Sequence, residues 1–193
     1  MTNQVTIKEV AARDGLQAQS VEISLDQRRE LIMSLVAAGV PELEIGSFVS
    51  PKAVPAMAGT DQVFASLGKA QFATPTIALI PNMKGYELAR AAGAKTVTMV
   101  LYASDGMAQK NASMSMAQAD EITLEILRLA KQDDIEVIAT IAVAFACPFD
   151  GPTETSVVEK GVARFMQAGA DQVVLADTIG AAHPQQVREL TAA

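Results

Sequence analysis

The chain carries one cysteine, Cys147, and one histidine, His183, and it has no tryptophan among its 193 residues. A lone cysteine excludes an internal disulfide and suits a reducing compartment. No apolar run reaches the roughly 18 residues that a membrane-spanning helix needs. The N-terminus shows no basic stretch followed by an apolar one, so no secretory signal is read there. Basic residues are the minority charge: 15 Lys and Arg against 22 Asp and Glu leave a formal net charge of −7. That balance argues against a surface for nucleic acid or anionic lipid. A Gly-x-Gly-x-x-Gly dinucleotide loop is missing, and no Ser/Gly-rich linker or composition shift divides the chain. The expectation is one cytoplasmic domain over residues 1–193, with neither nucleic acid nor membrane as a partner.

What is present is a regular alternation of short β-branched runs with helical patterns. Half of the residues are hydrophobic, enough for a sizeable core. Val5 to Val10 alternates as a strand. Ser24-x-x-Gln27 is a capping-box signal for a helix running to about Ala38, with Leu31, Leu35 and Ala38 on one face. Strands follow at Glu42–Ile45, Thr76–Ile80, Lys95–Leu101, Glu136–Ala142 and Gln172–Ala176, and helices at Asp61–Leu67, Lys84–Ala92 and Glu154–Ala168. Ser115-x-x-Gln118 caps a longer helix with Ile122, Ile126, Leu129 and Ala130 as its stripe. Pro184 opens a last helix. Ala38-Gly39-Val40, Ala92-Gly93-Ala94 and Ala168-Gly169-Ala170 each place a glycine just past a helix and before a strand. That is the αβ joint of a repeated unit.

Six such units fit either a doubly wound sheet or a (β/α)8 TIM barrel. The missing glycine loop and the polar residues collected at strand ends favour the α/β barrel, whose active site lies at those ends. They are Arg13, Asp14, Glu44, Ser47, Asn82, Ser104, Asp105, Cys147, Asp177 and Thr178. A complete barrel takes about 250 residues, so about six of eight units are expected here. Ala12-Arg13-Asp14-Gly15-Leu16-Gln17 is the stretch with most chemistry. Gly15 is expected to let the backbone turn sharply after the charged pair. A carboxylate there can hold a hard divalent cation, and a guanidinium can stabilise an oxyanion. An ordinary Arg–Asp pair capping the loop is the bland alternative. Cys147 reads as a packed residue, and His183 as a helix cap.

Arg13-Asp14-Gly15-Leu16-Gln17, Ser47-Phe48-Val49-Ser50-Pro51-Lys52, Pro81-Asn82-x-Lys84-Gly85, Cys147-Pro148 and Asp177-Thr178-Ile179-Gly180 occur in that order. Together they resemble the hydroxymethylglutaryl-CoA lyases of the DRE-TIM metallolyases, over essentially the whole chain. The resemblance implies a TIM barrel and cleavage of 3-hydroxy-3-methylglutaryl-CoA to acetoacetate and acetyl-CoA. It implies a divalent cofactor, Mg²⁺ or Mn²⁺, with Asp14 as a metal ligand. Arg13, Glu44 and Asp177 are implied as catalytic residues. Gln17, Ser47, Ser104 and Thr178 are implied as contacts to the substrate or as their support. Lys52, Lys84 and Lys110 are candidates for the CoA phosphates.

The sequence departs from the family pattern at Ala18-Gln19, at Glu44-Ile45-Gly46-Ser47 and at Ala181-Ala182-His183-Pro184. Another 3-hydroxyacyl-CoA substrate stays open on that account. The family's His-x-His ligands, its Asn ligand and its Gly-rich loop with a catalytic Cys all follow the sixth strand and have no counterpart in these residues. Residues 1–193 alone are therefore expected to show little lyase activity, and open sheet edges to favour a homo-oligomer. The alternatives are a condensing relative, such as a citramalate or isopropylmalate synthase, and a non-catalytic truncated module.

Overall fold

The computed structural model describes residues 5–21, 23–68 and 73–192. The chain forms two compact units, Met1–Val97 and Thr98–Ala193.

In the first unit the order is β1 (Lys8–Glu9), a π-helical turn (Ala11–Gly15), α1 (Leu25–Ala37), β2 (Glu42–Ser47), a 3-10 turn (Pro55–Met57), α2 (Thr60–Leu67), β3 (Thr76–Ile80), α3 (Met83–Ala91) and the start of β4 (Thr96–Tyr102). β1 pairs parallel with β2, and β2 parallel with β3. The core is built by Leu43 and Ile45 on β2, by Ile77, Ala78 and Ile80 on β3, and by Ile32, Val63, Leu67 and Tyr86 on the helices. The Ser24 hydroxyl accepts from the Gln27 amide at 3.2 Å, and the Gln27 side chain accepts from the Ser24 amide at 2.8 Å. That reciprocal pair is the predicted capping box, and it satisfies two amides the helix leaves open.

Three expectations for this unit are corrected. Only Lys8 and Glu9 of the Val5–Val10 run pair as a strand, while Val5 and Ile7 stand exposed. The alternation was real, but no neighbouring strand pairs with those first residues. Gly15 is not at a sharp turn. The chain winds into a π-helical turn in which the amides of Arg13, Asp14 and Gly15 all donate to the Val10 carbonyl, and Gly15 is not among the glycines with positive φ. The buried face of α1 is Arg28 and Ile32 rather than Leu31, Leu35 and Ala38. A wholly buried arginine breaks the aliphatic pattern by which a sequence marks a core-facing helix side.

The second unit holds the rest of β4, α4 (Asp105–Ala112), α5 (Met116–Asp133), β5 (Glu136–Ala142), a hairpin of β6 (Ala146–Cys147) and β7 (Gly151–Pro152), α6 (Thr155–Gln167), β8 (Gln172–Leu175) and α7 (Pro184–Ala192). The sheet runs β4-β5-β8, with β5 and β8 parallel. In neither unit does strand order reverse, as a doubly wound sheet would require. α5 has its predicted capping box at Ser115 and Gln118 and buries Ala119, Thr123, Ile126, Leu127 and Ala130. Of the predicted stripe, Ile122 and Leu129 are only half-buried. α4 and the hairpin were not foreseen: α4 buries only Ala108, so its sequence carries no apolar period.

The three glycine joints behave as read. Gly39, Gly93 and Gly169 have φ of 79°, 84° and 98°. At each, the glycine amide donates to the carbonyl three residues back. The following amide, of Val40, Ala94 or Ala170, donates five back. This is the Schellman closure, in which a left-handed residue satisfies the last carbonyls of a helix. Among the described residues no helix is long and apolar enough to cross a membrane.

Candidate active site

In the first unit the π-helical turn after β1 brings Arg13 against Glu44, in the middle of β2 rather than at the strand end expected. Arg13 Nε donates to Glu44 Oε1 at 2.5 Å, and Arg13 Nη1 donates to Asp14 Oδ1 at 2.6 Å. The Glu44 side chain is 6% exposed and that of Arg13 16%, whereas Asp14 stands 62% exposed. The two contacts are therefore unlike. Glu44 is a buried anchor, and a buried, charge-assisted bond holds geometry firmly. Asp14 is a solvated partner. A guanidinium has five N–H donors, and these contacts use two. Arg13 is thus held as a fixed cation with donor capacity left.

β2 is irregular where it carries Glu44. Its register with β3 runs Leu43 to Thr76 and Glu44 to Ile77, then shifts, with Gly46 opposite Ala78 and Ser47 opposite Leu79. Ile45 is the extra residue of a bulge. Side chains alternate along a strand, so Ile77 and Leu79 share a face, and so do Glu44 and Ser47 opposite them. Without the bulge Glu44 and Ser47, three residues apart, would lie on opposite faces. Ser47 is buried, and its hydroxyl has no hydrogen-bond partner among the described residues. Gln17 is exposed on the segment after the π turn. Asn82 is the N-cap of α3, accepting from the Gly85 amide at 3.0 Å. Lys52 and Lys84 are exposed.

In the second unit Ser104 caps α4, accepting from the Met107 amide at 3.3 Å, and donates to Asp150 Oδ2 at 2.5 Å. The same carboxylate oxygen accepts from the Gly106 amide at 2.8 Å. Gly106 admits this approach: a Cβ there would meet the Asp150 carboxylate, with only 2.4 Å to Oδ1. The β6–β7 hairpin carries Asp150 in its turn, and Cys147, buried on β6, sits 2.9 Å from the Ser104 hydroxyl. Asp105 accepts from the Met116 amide at 2.8 Å, and Lys110 is exposed. Asp150 was missed in the sequence; its signal is an Asp-Gly pair right after Cys147-Pro148-Phe149.

The Ser104 hydroxyl, and after it the Gly106 amide, hold the Asp150 carboxyl below its ordinary pKa. A depressed carboxyl contributes stability above its unfolded pKa, and that contribution is lost as pH falls through the folded value. Asp150→Asn should therefore narrow its stability gap to the parent as the pH is lowered from 6 to below about 4, the ordinary aspartate range. Thermal unfolding of both proteins across that range checks it, and a gap independent of pH would contradict it.

Asp177 is exposed. Its Oδ1 accepts from the Ala181 amide at 2.9 Å and its Oδ2 from the Ala182 amide at 3.0 Å, closing its own loop. Thr178 accepts from the Val143 amide at 2.8 Å, and Thr153 donates to the Val143 carbonyl at 2.6 Å. Val143 has φ of 53°, a conformation costly for a β-branched residue. The two threonines pin it from both sides. His183 is the predicted cap: its Nδ1 accepts from the Gln186 amide at 3.3 Å, and Gln186 Oε1 accepts from the His183 amide.

Asp14 is the implied metal ligand, but its Oδ1 is engaged by Arg13. Among the described residues no three His, Cys, Asp or Glu side chains gather at one point. A hard cation takes about six oxygen ligands. The residues described here do not by themselves fit Mg²⁺ or Mn²⁺.

The sequence pattern of the HMGL-like family matches residues 4–193. The chain belongs to the HMGL-like family. Similar HMGL-like proteins include a Chloroflexus aurantiacus protein named (R)-citramalyl-CoA lyase, 42% identical over 96% of this chain and 62% of the relative. A Pseudomonas aeruginosa 3-hydroxy-3-isohexenylglutaryl-CoA/hydroxymethylglutaryl-CoA lyase is 36% identical over 98% of this chain and 63% of its own length. The crystal structure of a hydroxymethylglutaryl-CoA lyase from Pseudomonas aeruginosa superposes with a TM-score of 0.91 over 98% of this chain and 63% of that one, at 36% identity. An HMG-CoA lyase from Acinetobacter baumannii, in complex with coenzyme A and 3-methylmalate, gives 0.90 over 97% and 61%, at 34% identity. The fold is part of a TIM barrel, and the chain spans about three-fifths of the length of the HMGL-like relatives it matches.

Proposed function

We propose that the protein is a carbon–carbon lyase acting on a 3-hydroxy-3-methyl acyl-CoA, with 3-hydroxy-3-methylglutaryl-CoA as substrate and acetoacetate and acetyl-CoA as products. The observation that carries the reading is Arg13, fixed by a buried Glu44 on β2 in a chain whose relatives bear the names of CoA lyases.

In such a cleavage the 3-hydroxyl loses its proton and its oxygen becomes a ketone as the C2–C3 bond breaks. The electron pair of that bond passes into the thioester as an enolate, which is then protonated at C2. The need is for a cation that meets charge on the thioester oxygen as it develops. Arg13 has donors left for that oxygen, and Glu44 keeps its plane in one orientation. Ser47, on the same face as Glu44, offers an unengaged hydroxyl to the substrate. Asp177 is the acid–base group proposed for the second unit, and Gln17, Ser104 and Thr178 are proposed to contact or support the substrate. Mg²⁺ or Mn²⁺ is the proposed cofactor, with Asp14 one of the several ligands such a cation needs. A homo-oligomer in the cytoplasm is the proposed setting.

The Chloroflexus relative favours a second substrate, (R)-citramalyl-CoA, which shares the tertiary 3-hydroxyl and the bond to be broken. Incubating the purified enzyme with Mn²⁺ and each thioester separates the two. Acetyl-CoA with acetoacetate from 3-hydroxy-3-methylglutaryl-CoA is the expected result. Pyruvate from citramalyl-CoA alone would establish the second substrate, and release of neither ketone by a chain extended to the full length of its relatives would overturn the lyase reading.

A further inference from the structure

Arg28, on the first half of α1, is 1% exposed. Burial holds its guanidinium below the ordinary arginine pKa, and among the described residues no carboxylate pairs with it. Its partners are all neutral: Nη1 donates to the Ala58 carbonyl at 2.9 Å, and Nη2 to Thr60 Oγ1 at 3.2 Å and to the Ile45 carbonyl at 3.5 Å. Thr60 Oγ1 donates in turn to the Met57 carbonyl at 2.8 Å. Arg28 Nε has no partner among the described residues. A cation buried against neutral acceptors is costly, and an aliphatic side chain would serve the core of α1 better. Its presence asks for a purpose other than stability.

The place where it lands supplies one. Ile45 is the extra residue of the β2 bulge, and its carbonyl is one that the ladder leaves irregular. A Cβ on Gly46 would meet Thr60 at 2.7 Å and Arg28 Nη2 at 3.1 Å. Gly46 therefore faces α1 and α2. Its strand neighbour Ser47, and Glu44 with it, face the other side of the sheet. Arg28 thus reaches the bulge from the side opposite Arg13.

We propose that Arg28 is a positioning residue for the Arg13–Glu44 pair. From the helix side of the sheet it ties the Ile45 carbonyl to Thr60 and the Ala58 carbonyl. This holds the bulge that puts Glu44 and Ser47 on one face. The proposal rests on the lyase reading only for its kinetic consequence. Its structural consequence, the seating of Glu44 on Arg13 Nε, is independent of any substrate.

The test uses Arg28→Met, Arg28→Lys and Glu44→Gln in the purified enzyme. Arg28→Met should keep the fold, by circular dichroism and a melting temperature within a few degrees of the parent. It should lower kcat at least tenfold with KM changed less than threefold. Arg28→Lys, which restores a donor, should recover a third or more of the lost rate. In the Glu44→Gln background the Arg28→Met effect should shrink below threefold, because the pair it positions is already broken. A merely structural arginine would give effects that multiply.

A second readout needs no turnover. The Arg13 Nε–H resonance, identified by its loss in Arg13→Lys, should be protected from exchange in the parent and exposed in Arg28→Met. If Arg28→Met does not fold, Arg28→Lys carries both readouts, with a smaller rate loss that again vanishes in Glu44→Gln. Protection unchanged in the folded Arg28 variant, or independent rate effects, would overturn the proposal. A parent of the relatives' full length that is inactive on both thioesters, with protection lost in the variant, would overturn the lyase reading and leave the positioning role standing.

Discussion

Arg13→Met should reduce kcat by about a hundred- to a thousandfold, the scale of about 2.7–4 kcal/mol seen when one donor to a developing oxyanion is removed. KM for the thioester should change far less, because in the proposed cleavage the charge Arg13 would meet exists only as the C2–C3 bond breaks. The geometry makes the expectation sharp. Arg13 is not a loose surface cation: Nε is locked to Glu44 and Nη1 to Asp14, so the remaining donors have a set direction and need no reorganisation during the reaction. Arg13→Lys should be nearly as damaging. An ammonium keeps the charge but lacks the planar fork that binds Glu44 and a second oxygen at once. Steady-state kinetics on the purified enzyme, with acetyl-CoA as the measured product, checks both variants. Unchanged turnover in Arg13→Met would remove Arg13 from the chemistry.

Most of the fold was legible in the sequence because its signals are local. The Ser24–Gln27 and Ser115–Gln118 boxes and the glycines at 39, 93 and 169 each act within six residues, and each closed as read. The pairing of Arg13 with Asp14 was legible for the same reason. What was not legible depends on partners far along the chain. Glu44 meets Arg13 across 31 residues, and Asp150 meets Ser104 across 46. Arg28 lies at a core-facing spacing from Ile32, four residues on, but an arginine in an apolar stripe reads as noise until its acceptors on β2 and the loop before α2 are seen. The bulge at Ile45 has the same character. In Glu44-Ile45-Gly46-Ser47 only the glycine hints at an extra residue, yet the bulge decides which face Ser47 occupies. The π-helical turn at Ala11–Gly15 replaced an expected strand end and sharp turn because one carbonyl, of Val10, gathers three successive amides.

The same pair should dominate stability. Removing Arg13 strands a carboxylate whose side chain is only 6% exposed. Breaking a buried ion pair from one side costs about 3–5 kcal/mol, since the remaining charge is left without compensation. Arg13 is itself partly solvated, which places Arg13→Met near the low end of that range. At roughly 2–4 °C per kcal/mol for a chain of this size, the melting temperature should fall by about 6–12 °C. Glu44→Met alone should cost less. It strands the guanidinium instead, but Arg13 keeps Asp14, and Asp14 is well solvated. The decisive case is the double variant. Arg13→Met with Glu44→Met removes both charges and fills the space with apolar chains of similar length. Such replacements are often neutral or better, so the double variant should recover most of the loss seen in Arg13→Met while remaining inactive. Stability would then rise on adding a second mutation to a damaged protein, a sign that independent contributions cannot produce. Thermal or denaturant unfolding of the four proteins at pH 7 measures it. A double variant no more stable than Arg13→Met would mean that Glu44 is not a stranded charge, and that the buried bond to Arg13 does not hold the site.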